Sequence, residues 1–152
     1  MTRSRTFAWS AVAGVGLALG MTCVAVSAGN PVEARQAAMK QVGQTMKQAS
    51  AYTSAQTPFD AAKVEGLMDG VAANAKKLKG LYPAGSGTDP KTSADPKIWQ
   101  NKADFDKRLT EMASLAAAAG NAKDTNAFKP AFKALGETCK SCHDVYRMKK
   151  KT

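Results

Sequence analysis

Residues 124–149 run Asp-Thr-Asn-Ala-Phe-Lys-Pro-Ala-Phe-Lys-Ala-Leu-Gly-Glu-Thr-Cys-Lys-Ser-Cys-His-Asp-Val-Tyr-Arg-Met-Lys. Phe128, Phe132, Leu135, Cys139, Cys142 and Tyr146 recur at steps of three and four, the spacing of one helix face. The spacing predicts a helix from near Asp124–Asn126 to about Lys149. Pro130 falls within or just past its first turn, where it marks a later start or bends the helix.

The same period recurs upstream. Val32, Met39, Val42 and Met46 make a stripe over Pro31–Ser50, with Asn30 as cap and Pro31 in the first turn. Val64, Leu67, Met68, Val71, Ala75 and Leu78 make a second, opened by Thr57-Pro58 and stopped by Gly80. A Gly-, Pro-, Ser- and Thr-rich loop covers about 81–94. Ile98, Phe105, Leu109, Met112, Ala116 and Ala119 make a third stripe, opened by Asp95-Pro96 and ended by Gly120. Alternating β-type runs are missing, so no sheet is expected. Four amphipathic helices of matched length, with two short connections and one longer, define an all-α protein, an antiparallel four-helix bundle.

Residues 1–28 read as a removable leader. Arg3 and Arg5 precede an uncharged run from Phe7 to Ala28, which ends in the small residues Val26-Ser27-Ala28. Cleavage leaves residues 29–152, enough for one domain, and export to the periplasm follows. Retained instead, the run is long enough to anchor the protein, the only route to membrane contact. Arg3 and Arg5 leave with the leader, so the net charge falls from +10 to +8. A hydrophobic fraction of 44% excludes a disordered chain. Cys23 also leaves, and Cys139, Cys142 and His143 remain as the only cysteines and histidine.

Those three residues form Cys-x-x-Cys-His. Two thiols one helical turn apart suit thioether bonds to the two vinyl groups of a haem. The adjacent imidazole then meets the iron from one face. Covalent haem attachment outside the cytoplasm agrees with an exported chain. The rival readings fail on chemistry. A structural zinc site needs four ligands, where two cysteines and a histidine supply three. A thioredoxin-like dithiol needs a βαβ setting. A disulfide across so short a loop removes little chain entropy. One covalently bound haem c is therefore expected, with Cys139 and Cys142 as attachment points and His143 as proximal iron ligand.

With the single histidine used, methionine is the strong candidate for the opposite face. Met39, Met46, Met68 and Met112 are available; Met148, on the same helix as His143, cannot reach round the ring. Methionine at helical spacing is also common core filling, so periodicity leaves the choice open. Tyr146, three residues after His143, is placed to pack near the haem or in the core. No further acid–base pair or nucleophile suggests an enzyme.

Cys139-Lys140-Ser141-Cys142-His143-Asp144-Val145-Tyr146-Arg147 resembles the haem motif of the class II cytochromes c, the cytochrome c′ family. Arg35-Gln36-Ala37-Ala38-Met39-Lys40 resembles that family's first-helix motif, and Pro58-Phe59-Asp60 and Pro96-Lys97-Ile98-Trp99 also fit. The resemblance spans nearly all of 31–149. It implies haem c near the C-terminus, on the last helix of a four-helix bundle. In the family's low-spin branch, the cytochromes c-556, a first-helix methionine is the sixth ligand, and Met39 falls there. In the high-spin branch the iron is five-coordinate, and an open distal face binds NO or CO.

The resemblance further implies that Arg35 approaches a haem propionate, a charge-assisted contact, with Gln36 assisting. It also implies pairing of two copies through the first two helices. The basic balance suits acidic redox partner proteins, and nucleic acid is not an expected partner. The function expected is one-electron transport through Fe(III)/Fe(II) cycling with His143/Met39 ligation. The alternatives are gas binding over an open iron and an accessory role in a larger redox complex.

Overall fold

The computed structural model describes residues 29–54 and 56–149. The leader lies outside the described residues. Four long helices make up the fold: α1 (Pro31–Ala49), α2 (Ala61–Leu78), α4 (Lys102–Gly120) and α5 (Thr125–Tyr146). A one-turn helix, α3 (Lys97–Gln100), precedes α4. Short 3₁₀ turns follow α1 at Ser50–Thr53 and α2 at Lys79–Leu81.

The starts of the helices are chemically marked. Asn30 Oδ1 accepts from the Val32 amide at 2.9 Å, ahead of Pro31. Asp124 Oδ1 accepts from the Ala127 amide at 2.8 Å. Each bond satisfies an amide that the helix itself leaves without a partner. α5 starts at Thr125 and carries Pro130 inside it, so the proline does not delay the start.

Three boundaries differ from the sequence expectation. α2 starts at Ala61 because Asp60, rather than Thr57, is the cap, its Oδ1 accepting from the Lys63 amide at 3.0 Å. The third segment is two helices, broken at Asn101, whose φ of −134° and ψ of 55° are not helical. α5 stops at Tyr146 instead of Lys149, because Arg147 turns extended and the chain end pairs with a distant segment. There the Asp95 amide donates to the Tyr146 carbonyl and the Met148 amide to the Ser93 carbonyl, both at 2.9 Å. This isolated bridge between Ala94 and Arg147 is the sole β-type pairing among the described residues.

The core has two parts. One joins α1, α2, α4 and α5 through Val64, Met68, Val71, Ala116, Phe128 and Leu135, among others. Phe128 is fully buried, and such burial contributes about 1.5–3 kcal/mol. Its ring lies 5.9 Å from Phe59, which meets Tyr52 at 6.2 Å. This chain of rings ties the trailing end of α1 to the leading end of α5, so the two helices run antiparallel. α2 and α4 approach closely at Gly120, where a Cβ would lie 3.1 Å from Met68 Cβ. The second part, at the other end, gathers Ala38, Leu78, Tyr82, Ile98, Phe105, Leu109 and Tyr146.

Candidate haem site

A cavity of about 600 Å³ adjoins both parts of the core. α5 presents Cys139, Cys142 and His143 to it, with Tyr146 and then Arg147. From α1 come Arg35, Gln36, Met39, Lys40, Val42, Gly43 and Met46. α4 adds Phe105, Arg108, Leu109 and Met112, and the long connection adds Tyr82 and Thr92–Ala94. The volume is that of a cofactor site.

Both thiols are free and half-buried. Burial raises the pKa of each, and Arg108 opposes the rise at Cys142. Burial, then Arg147, lowers the His143 imidazole below its usual value, against Asp144. A neutral imidazole keeps a lone pair for a metal. No group of three or more His, Cys, Asp and Glu side chains is gathered for a bare metal ion among the described residues.

The donor set fits haem c. It offers two thiols one turn apart, one imidazole beside them and thioethers from other helices lining the same cavity. Arg35, Lys40, Arg108 and Arg147 line the cavity, and among the described residues no carboxylate does. Such a wall suits a flat apolar ring with two carboxylates. Of the five methionines weighed from sequence, Met39, Met46 and Met112 line the cavity. Met68 is fully buried elsewhere and Met148 is exposed.

Arg35 is 3% exposed. Its Nη1 donates to the Leu81 carbonyl at 3.3 Å and to Ser86 Oγ at 3.0 Å. Its Nη2 donates to the Ser86 carbonyl at 2.8 Å and to Thr92 Oγ1. Among the described residues, the Nε–H is the one of its five donors with no protein acceptor. The guanidinium also lies 4.9 Å from the Tyr82 ring centre. Burial pushes the Tyr82 phenol up to about 12, against the pull of Arg35. Gln36 Nε2 donates to the Lys91 carbonyl at 2.8 Å. Both residues expected at the propionates therefore line the cavity while holding the 81–92 loop.

Tyr146 packs edge-on against Phe105 at 5.3 Å and donates its hydroxyl to Asp104 Oδ2 at 2.7 Å. The same oxygen accepts from Arg108 Nε at 2.7 Å. Tyr146 is thus both a core residue and a wall of the cavity. Trp99 does not line the cavity; it packs on the second core cluster, with Nε1 donating to the Pro83 carbonyl at 2.9 Å.

Sequence reasoning missed Arg108, Tyr82, Thr92–Ala94, Gly43 and Gly136 as wall residues. Arg108 had a local signal, an acidic partner four residues earlier. Tyr82 and Thr92–Ala94 had none, since loop folding alone brings them here.

The family model described as Cytochrome C′ matches residues 30–147. The chain is 38% identical over 149 residues to a cytochrome c′ of Rhodopseudomonas palustris, covering 97% of each chain. It is 37% identical over 134 residues to a cytochrome c-556 of Agrobacterium fabrum, covering 86% of this chain and 90% of that one. The solved structure of cytochrome c′ from R. palustris superposes with a TM-score of 0.74 at 38% identity, covering 80% of this chain and 98% of the other.

The chain belongs to the cytochrome c′ family. Proteins of this family are c-type cytochromes with covalently bound haem, and its members include dimers.

Proposed function

We propose that the protein is an exported one-electron carrier. Haem c is joined through Cys139 and Cys142, with His143 and Met39 as its axial ligands. The observation that carries this reading is the shared cavity, which is lined by both thiols and the imidazole from α5 and by Met39 from α1. When bound, haem c supplies Fe(III)/Fe(II) cycling. The chain supplies the rest. Phe105, Leu109 and Ile98 keep water from the ring. α5 fixes His143 relative to both attachment points. Arg35, Lys40, Arg108 and Arg147 supply positive charge near the propionates and favour an acidic partner.

Proteins of this family are typically periplasmic, and residues 1–28 carry the marks of an export signal. No helix among the described residues is long and apolar enough to cross a membrane. Mass spectrometry of the secreted protein tests attachment and cleavage together. The expected mass is that of residues 29–152 plus one haem. A bare chain overturns the haem reading, and a retained leader overturns cleavage and favours an anchored accessory role in a larger redox complex.

A second reading is a five-coordinate haem that binds NO or CO. Met39 favours it by packing against the buried cluster of Ala38, Tyr82 and Phe105 together with Cys142, as an apolar lid would. Under this reading CO reshapes the spectrum of the reduced protein. Under the carrier reading CO leaves it unchanged.

A further inference from the structure

Two glycines interrupt helix faces that turn toward the cavity. Gly43 lies in the interior of α1, four residues after Met39 and therefore on the same face. Gly136 lies in the interior of α5, three residues before Cys139 and seven before His143, again on one face. Both line the cavity. A Cβ built at either position would meet no atom of the described residues within 4 Å beyond its chain neighbours and its own helix backbone. Neither glycine has a positive φ that would demand it. Glycine is the poorest helix former after proline, so both helices are weakened without benefit to the protein's own packing. The neighbouring wall positions of α1, Met39, Val42 and Met46, all carry full side chains.

We propose that the cofactor keeps these positions bare. Gly43 and Gly136 are positioning residues that leave room for the edge of a flat macrocycle between α1 and α5. The bare backbone at Gly43 also lets α1 lie close enough for Met39 to reach the metal. The proposal rests on the haem reading above. It adds a steric requirement that the thiols, His143 and Met39 do not express.

Gly70 is the internal control. It lies within α2, away from the cavity, and a Cβ there also meets nothing within 4 Å. The test compares Gly70→Ala, Gly43→Ala, Gly136→Ala and Gly43→Leu, each produced as the full chain in a host that attaches haem c. Attached haem per chain, absorption spectrum and thermal midpoint are read for each. Gly70→Ala should raise the midpoint by about 4 °C and leave the spectrum unchanged. Gly43→Ala and Gly136→Ala should lose that gain and shift the absorption bands. Gly43→Leu should lose the signature of a bound methionine. Alanine at 43 and 136 that raises the midpoint like Gly70→Ala, with wild-type spectra, overturns the proposal. A wild-type protein without covalent haem is a different failure, since it removes the haem reading itself and this inference with it.

Discussion

Arg35 donates to Ser86 from both terminal nitrogens, to the hydroxyl at 3.0 Å and to the carbonyl at 2.8 Å. The two residues are 51 positions apart. Their contact closes the 81–92 loop over the leading end of α1. The loop then grips the end of α5, through Ser93 to Met148 and Asp95 to Tyr146. One buried guanidinium thus helps hold the cavity walls together.

Arg35→Lys separates charge from geometry. Lysine keeps the positive charge but cannot reproduce the planar fork. Stability should fall by about 2 kcal/mol, and amides of residues 86–95 should exchange faster. A variant with wild-type loop protection would show that charge alone suffices.

Gly87 sits beneath Trp99, and a Cβ there would lie 2.6 Å from the indole ring. Gly87→Ala must push the ring aside and strain its bond to the Pro83 carbonyl. The expected cost is about 1–3 kcal/mol. Trp99 is the only tryptophan in residues 29–152, so the emission of that stretch should change with the same substitution. Unchanged emission and stability would refute this packing.

Asp104 accepts from both Arg108 and Tyr146, and those bonds, Arg108 first, hold its carboxyl below the usual carboxylate range. A carboxylate whose pKa drops on folding stabilises fully above its unfolded value, about 4. That contribution is lost as pH falls through the folded value. Asp104→Asn should therefore differ most from wild type near neutral pH, and the gap should close below about pH 4. A gap constant with pH would argue against the network. Tyr146→Phe should cost about 1 kcal/mol through the lost hydroxyl bond.

The helices and the thiol–imidazole motif were legible because both are local. Phe128, Leu135, Cys139 and Cys142 announce a face by spacing alone. The break at Asn101 was hidden, because the stripe from Ile98 to Phe105 continues across it in helical register. What separates α3 is tertiary: Ile98 is buried in the second core cluster, and Trp99 is drawn to Pro83. The early end of α5 was hidden for the same reason, since Arg147 and Met148 pair with residues more than fifty positions away. The family resemblance implies a haem-propionate role for Arg35, and the residue lines the cavity. Its acceptors in the 81–92 loop could not be foreseen, because no local pattern links Arg35 to Ser86.

The most direct test is the absorption spectrum of the oxidised protein, wild type beside Met39→Ala. The account predicts a methionine–iron charge-transfer band in the wild type that disappears in the variant. The reduced variant, unlike the reduced wild type, should then bind CO. A wild type lacking the band, whose reduced form already binds CO, would contradict His143/Met39 ligation and make gas binding the leading function.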